Sequence, residues 1–277
     1  MFVSREGKFL LCFVIVLMVA CCTHAEIRTY KLDVRSEISV AEISIEGGVK
    51  HPLAALILCP GQNGSSKGLL EQRTWREFAR RERLVLVGIH FQSSEEDLKS
   101  DRGYYVASRG SGALLEEGLA KAGLGNLPLL LYGFSGGAHF ARSYASYRPD
   151  RVKAFCAYSF AWSSPPAADL GCPALIVCGE EDGTRYGSTL EYFQSGRNAG
   201  KPWTWVSLKE TPHRPHAGLD DFVRAYFSAI LAETPKSEVR VDNMSERVMT
   251  NRADSDVATS VLPSEALLEA WKEIHHP

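Results

Sequence analysis

The run Leu129-Leu130-Leu131-Tyr132-Gly133-Phe134-Ser135-Gly136-Gly137-Ala138-His139-Phe140 constrains this chain more than any other stretch. Apolar residues lead into Gly-x-Ser-x-Gly, and residues suited to a helix leave it. Strand, glycine-flanked serine and helix in that order make a nucleophile elbow, in which the chain reverses within about two residues and strains the backbone at the serine. Gly133 and Gly137 carry no β-carbon to clash where strand and helix crowd together. The Ser135 hydroxyl is then held above the sheet. The helix N-terminus sets the Gly136 N–H where negative charge can form. A bare Gly-x-Ser-x-Gly is weak in a chain with 23 glycines. The apolar run after Pro128 and the helical stretch over residues 138–147 are what give it weight.

A chain of 277 residues, 45% hydrophobic and 23% charged, can bury a sizeable core, and one α/β domain commonly reaches that length. The formal net charge of −2 argues against nucleic acid as a partner. Arg80, Arg81 and Arg83 end a predicted helix and read as a solvated face favoured by its dipole.

Arg5 and Lys8 precede an almost unbroken apolar stretch over residues 9–20, and Cys21-Cys22-Thr23-His24-Ala25 follows. That order reads as a secretory signal over residues 1–25, cleaved after Ala25. The alternative is a lipoprotein signal with Cys21 as the lipidated residue, since Met18-Val19-Ala20 approximates the small-residue pattern before it. A retained anchor is the third reading. The expected location is therefore secreted or periplasmic, with membrane contact only through a lipid on Cys21 or an uncleaved signal. Seven cysteines are present. Cys12, Cys21 and Cys22 lie in or beside the signal, and Cys59, Cys156 and Cys178 sit in apolar runs as core residues do. A Cys172–Cys178 disulfide stays open in an exported protein. No Cys-x-x-Cys or other metal-ligand spacing occurs, and no metal or cofactor is expected.

Residues 27–34 and 38–45 alternate apolar with polar, as antiparallel strands with one wet face do. Residues 53–59 are continuously apolar, as in a buried parallel strand. Further strands are predicted over 84–91, 129–132, 152–160, 174–178 and 203–208. Helices are predicted over 69–83, 112–122, 136–147, 190–198 and 220–232, with a polar loop over 93–103. Such alternation predicts an α/β fold: a mostly parallel sheet with an antiparallel N-terminal edge and helices on both faces. The domain is set at 26–234. Residues 235–277 read as a polar tail or flexible linker ending in a short helix, where Leu267, Leu268, Trp271 and Ile274 recur at helical spacing and pack on the body.

A serine at neutral pH needs a base, and the base needs a carboxylate to fix its tautomer. In a strand–elbow–helix architecture these follow in the order Ser, Asp or Glu, His, on loops at the carboxyl ends of later strands. Gly179-Glu180-Glu181-Asp182-Gly183 leaves the strand at 174–178. Asp182 is the preferred acid and Glu181 the alternate; the competing reading makes Asp182 a mere turn cap. Lys209-Glu210-Thr211-Pro212-His213-Arg214-Pro215-His216 follows the last strand, and loop length favours His213 over His216 as the base. His139 precedes the acid and reads as packing, His51 and His90 as structural, and His275 and His276 as tail residues. Two donors must converge on an oxyanion. Gly136 N–H is one, and Gln62 N–H, in the loop after the first buried strand, is the other, with Asn63 as fallback.

With these residues the chain resembles an α/β-hydrolase over about residues 27–232, most closely the small dienelactone-hydrolase-like and esterase- or depolymerase-like members. The resemblance implies an eight-stranded sheet and hydrolysis of esters, thioesters or amides through an acyl-enzyme, without a cofactor. Only residues 163–173 stand where many relatives insert a helical cap. No cap domain is expected, and the open cleft suits a small-molecule or polymeric ester. Phe91, Tyr104, Tyr105 and Trp162 are either core or cleft walls. The function expected is a carboxylesterase. A serine peptidase and a non-catalytic binding protein on the same scaffold are the alternatives. The oligomeric state is not legible.

Overall fold

The computed structural model describes residues 26–161, 164–232, 237–249 and 256–277. Eight strands form one sheet: β1 (Ile27–Lys31), β2 (Val40–Glu46), β3 (Ala54–Cys59), β4 (Leu84–Gln92), β5 (Leu129–Phe134), β6 (Val152–Tyr158), β7 (Ala174–Gly179) and β8 (Trp203–Leu208). They lie in the order β1-β2-β4-β3-β5-β6-β7-β8. β1 and β2 are antiparallel to each other, β2 is antiparallel to β4, and every pairing from β4–β3 onward is parallel. The predicted mixed sheet with its antiparallel N-terminal edge is therefore present.

The helices are α1 (Lys67–Glu71), α2 (Arg73–Glu82), α3 (Glu95–Lys99), α4 (Ser111–Lys121), α5 (Gly136–Tyr147), α6 (Thr184–Asn198), α7 (Leu219–Leu231) and α8 (Leu268–Ile274). Period-two alternation sends Ala55, Ile57, Leu129 and Leu131 to the face covered by α4, α5 and α6. It sends Leu56, Leu58, Leu130 and Tyr132 to the face covered by α1, α2, α7 and α8. Both faces are dry, which is why the central strands are continuously apolar.

Local differences from the sequence reading have physical causes. The helix expected over 69–83 breaks at Gln72, whose extended backbone (ψ 125°) separates α1 from α2. The polar loop over 93–103 contains α3, capped by the Ser94 hydroxyl accepting the Asp97 N–H at 3.1 Å. α6 begins at Thr184 rather than Leu190, because its first turns are polar and carry no apolar period. Cys172 and Cys178 are both free thiols. Residues 159–173 between β6 and β7 contain no helix among those described, so no cap covers the sheet there.

The C-terminal segment differs most from a polar tail. β9 (Val239–Asp242) and β10 (Thr259–Leu262) pair antiparallel and dock with α8 on the exposed edge of the sheet. An open edge strand leaves alternate backbone groups without partners. Here the segment covers those of β8. Trp205 N–H donates to Ser260 Oγ at 2.7 Å, and Trp205 C=O accepts Trp271 Nε1–H at 2.8 Å. Ser207 N–H donates to His275 Nδ1 at 3.1 Å, and Ser207 C=O accepts His276 N–H at 2.9 Å. The terminal helix packs on the body as expected, with Trp271 fully buried. Among the described residues no helix is long and apolar enough to cross a membrane. The expected signal over residues 1–25 lies outside the described residues.

Candidate active site

Ser135 occupies the step from β5 to α5 with φ 53° and ψ −116°, a conformation that side-chain-bearing residues rarely adopt. Its surroundings enforce that geometry. A β-carbon on Gly133 would lie 2.3 Å from Gly137 O, and one on Gly137 would lie 2.1 Å from Cys59 O. Both glycines are needed for α5 to approach β5 and β3. Ser135 N–H donates to Tyr158 O at 2.9 Å, which fixes the elbow against β6.

Three side chains from three separate loops meet there. His213 Nε2 stands 2.9 Å from Ser135 Oγ, and His213 Nδ1 stands 2.9 Å from Asp182 Oδ2. A carboxylate only accepts, so the imidazole proton resides on Nδ1 and leaves Nε2 free to accept the Ser135 hydroxyl. The Asp182 side chain is 1% exposed, whereas that of His213 is 30% exposed and so reachable from the cleft. Asp182 is also met by Arg185 Nη1 at 3.4 Å and by the Cys178 thiol at 3.7 Å. The His213 ring stacks on Phe134, with centroids 5.0 Å apart.

Backbone contacts hold the acid turn and the base loop together. Glu180 N–H donates to Leu208 O at 3.0 Å and Glu181 N–H to Thr211 O at 3.1 Å. Tyr158 O–H donates to Arg214 O. Glu181 is exposed, and the carboxylate bonded to His213 is that of Asp182. The His216 ring lies against Gly218, and its carbonyl accepts Leu219 N–H at 3.1 Å, while His213 holds the bond to Ser135.

The two expected oxyanion donors are adjacent. A β-carbon on Gly136 would stand 2.8 Å from Gln62 N, so the two peptide backbones touch. Among the described residues neither amide donates to a protein acceptor. Asn63 is excluded as the donor, because its N–H is given to Tyr104 Oη at 3.0 Å. Its side chain exchanges two bonds with the Ser93 backbone, Nδ2–H to Ser93 O at 3.0 Å and Ser93 N–H to Oδ1 at 3.1 Å. Gln92 Nε2 donates to Asn63 O at 3.1 Å. Asn63 is therefore an anchor for the loop that presents Gln62. The Gln62 side chain is held by Tyr105 O–H at 3.0 Å.

Of the aromatic residues expected as core or wall, Phe91 and Tyr104 are core, and Trp162 lies outside the described residues. Tyr105 stacks face to face on His139 at 4.6 Å. Burial pushes the His139 pKa down to about 3, with lesser contributions from the charges of Arg142 and Arg185, so its ring packs as a neutral group. Sequence reasoning missed the anchoring role of Asn63 and the proximity of Arg185 to Asp182. The three-residue Asp–Arg spacing entering α6 was the available signal for the second. Among the described residues no group of three or more His, Cys, Asp or Glu side chains could hold a metal ion.

No family model matches the sequence, and no curated protein matches it. Solved structures do resemble it. The poly(3-hydroxybutyrate) depolymerase LpqC from Bordetella parapertussis aligns with a TM-score of 0.55 at 16% identity, over 74% of this chain and 89% of its own. The dienelactone hydrolase from Anabaena variabilis aligns at 0.51 and 14% identity, over 73% and 97%. The Bacillus cereus carboxylesterase aligns at 0.53 and 16% identity, over 69% and 95%. The chain has the α/β-hydrolase fold.

Proposed function

We propose that this protein is an exported serine hydrolase that cleaves carboxylic esters through an acyl-enzyme. The observation that carries the reading is the continuous chain Ser135 Oγ, His213, Asp182, with both hydrogen bonds at 2.9 Å, beside two adjacent backbone amides. In the first half-reaction Ser135 Oγ bonds to the acyl carbon while its proton passes to His213 Nε2. The carbonyl oxygen gains negative charge and is met by the Gly136 and Gln62 N–H groups. His213 returns the proton to the leaving alkoxide as the ester C–O bond breaks. In the second half-reaction water loses its proton to His213 and attacks the acyl carbon, and Ser135 recovers its proton. Asp182 keeps the imidazole in the working tautomer and stabilises its positive charge. The steps call on no metal or organic cofactor.

The absence of a helix between β6 and β7 among the described residues supports an open cleft, which suits a bulky or polymeric ester. A depolymerase of poly(3-hydroxybutyrate) and a carboxylesterase share this fold, which supports the ester reading, and a poly(aspartic acid) hydrolase that shares it keeps the amide reading as the second one. The basic, apolar and small-residue sequence of residues 1–25 supports export.

The test is active-site labelling. Wild-type protein should react rapidly with a fluorophosphonate and turn over p-nitrophenyl acetate. Ser135→Ala should lose the label and about 10⁴-fold or more of the turnover at unchanged circular dichroism. Labelling that persists in Ser135→Ala removes this serine from the mechanism.

A further inference from the structure

Glu180 lies outside the Ser–His–Asp chain, yet it connects the two loops that carry Asp182 and His213. It follows β7 directly and stands two residues before Asp182. Its Oε2 accepts the Glu210 N–H at 3.2 Å, three residues before His213. Its Oε1 meets His276 Nδ1 at 2.5 Å and accepts the Ser207 hydroxyl at 3.4 Å. One carboxylate thus ties the acid turn, the base loop, the edge strand β8 and the last residues of the chain. Partial burial pushes its pKa up, but the bonds from Glu210 N–H, His276 and Ser207 outweigh that and hold it below the usual range.

The partner on the C-terminal side is itself immobilised. His276 N–H bonds to Ser207 O, and the preceding His275 ring is fixed at both nitrogens. His275 Nδ1 accepts Ser207 N–H at 3.1 Å, so its proton is on Nε2 and goes to Asn243 O at 2.8 Å. The ring stacks on Trp271 with centroids 4.4 Å apart.

The base loop needs such a tether. Glu210 is held in a left-handed conformation (φ 47°), which side-chain-bearing residues rarely adopt. The inner side of the loop rests on the contact between Gly179 and Thr211, and its outer side on the Glu180 carboxylate. If that acceptor is removed, Glu210 can relax and carry His213 with it. A shift of about 1 Å in a catalytic group can cost 10²-fold in rate.

We propose that Glu180 is a positioning residue for His213 and that His276, at the C-terminal end, holds Glu180 in its working orientation. This rests on the serine-hydrolase reading above. The experiment uses the full chain as wild type, Glu180→Ala, Glu180→Gln and His276→Ala. It reads kcat and KM on p-nitrophenyl acetate, and by proton NMR the low-field Nδ1–H resonance between His213 and Asp182, identified by its loss in His213→Ala.

Glu180→Ala should lose roughly tenfold in kcat with KM within about twofold, and its low-field resonance should broaden or vanish. Glu180→Gln keeps a carbonyl acceptor for Glu210 N–H and should recover kcat to within about threefold of wild type. His276→Ala should fall between the two. A wild-type kcat and resonance in Glu180→Ala overturns the proposal, as does Glu180→Gln being equally impaired. Should Glu180→Ala not fold, wild-type values in His276→Ala overturn it instead. If the wild type shows the resonance but hydrolyses no ester, the hydrolase reading fails, and the resonance alone then decides the role of Glu180.

Discussion

Gly179 and Thr211 are in such close contact that a β-carbon on Gly179 would stand 2.0 Å from the Thr211 carbonyl oxygen. This contact joins the end of β7 to the loop after β8, and it precedes Asp182 by three residues and His213 by two. The 2.9 Å bond between those side chains depends on how closely the two strand ends approach.

Gly179→Ala should therefore damage stability and rate together. Overpacking of this kind costs about 1–3 kcal/mol, and the displaced Thr211 should move His213 and lower kcat by roughly 10-fold to 100-fold. Urea unfolding and steady-state kinetics on one preparation check both. A variant as active and as stable as wild type would show that the loops adjust independently of this contact.

The two histidines of the base loop should separate cleanly. His213→Ala should lose about 10³- to 10⁴-fold in kcat/KM, because neither the serine nor the leaving group then has a proton partner. His216→Ala should stay within about threefold, since the His216 ring lies against Gly218 and the bond to Ser135 is made by His213. The two measured side by side decide it, and the reverse ranking would exchange their roles.

Asn63 should matter for rate although its own N–H is not aimed at substrate. Asn63→Ala removes both bonds to Ser93 and leaves an alanine at φ 54°. The loosened loop should misplace Gln62 N–H and cost up to about 10²-fold in kcat with KM little changed, as loss of an oxyanion donor does. A rise in KM at constant kcat would instead assign Asn63 to substrate binding.

Acid should destabilise the fold through buried histidine. The His139 pKa is lowered to about 3, below the usual histidine range that applies once the chain is unfolded. Between about pH 6.5 and 3 the unfolded chain holds a proton that the folded chain does not, so stability falls as pH falls, by up to about 1.4 kcal/mol per pH unit. His275, also lowered chiefly by burial, adds in the same direction. Unfolding free energies at pH 7, 5.5 and 4.5 should decline less steeply for His139→Gln than for wild type. Equal slopes would show that His139 does not carry the effect.

Much of this was readable before folding. The apolar run into Gly133-Phe134-Ser135-Gly136-Gly137 sets out strand, elbow and helix because the glycines are needed within a few residues of one another. The period of two in β1 and β2, and the dry runs of β3 to β8, betray which strands have a wet face. What could not be read has the converse cause. The start of α6 is polar, so no apolar stripe marks it. Residues 235–261 lack a period, and Ser260 meets the edge of β8 through its side-chain hydroxyl, a partner that no local pattern announces.

The amino-acid sequence by itself determined the alternation of strand and helix, the sharp turn at Ser135 and the short menu of acids, bases and amides beyond it. These follow from the preferences of residues close together along the chain. Only the tertiary structure decided that His213 rather than His216 meets Ser135, across 78 residues, and that Asn63 anchors while Gln62 presents its amide. It also decided that His276 reaches Glu180 across 96 residues. A hydrogen bond is satisfied within about 3 Å and in one direction. Between residues so far apart in sequence, that condition is met only once the sheet has brought its strand ends together.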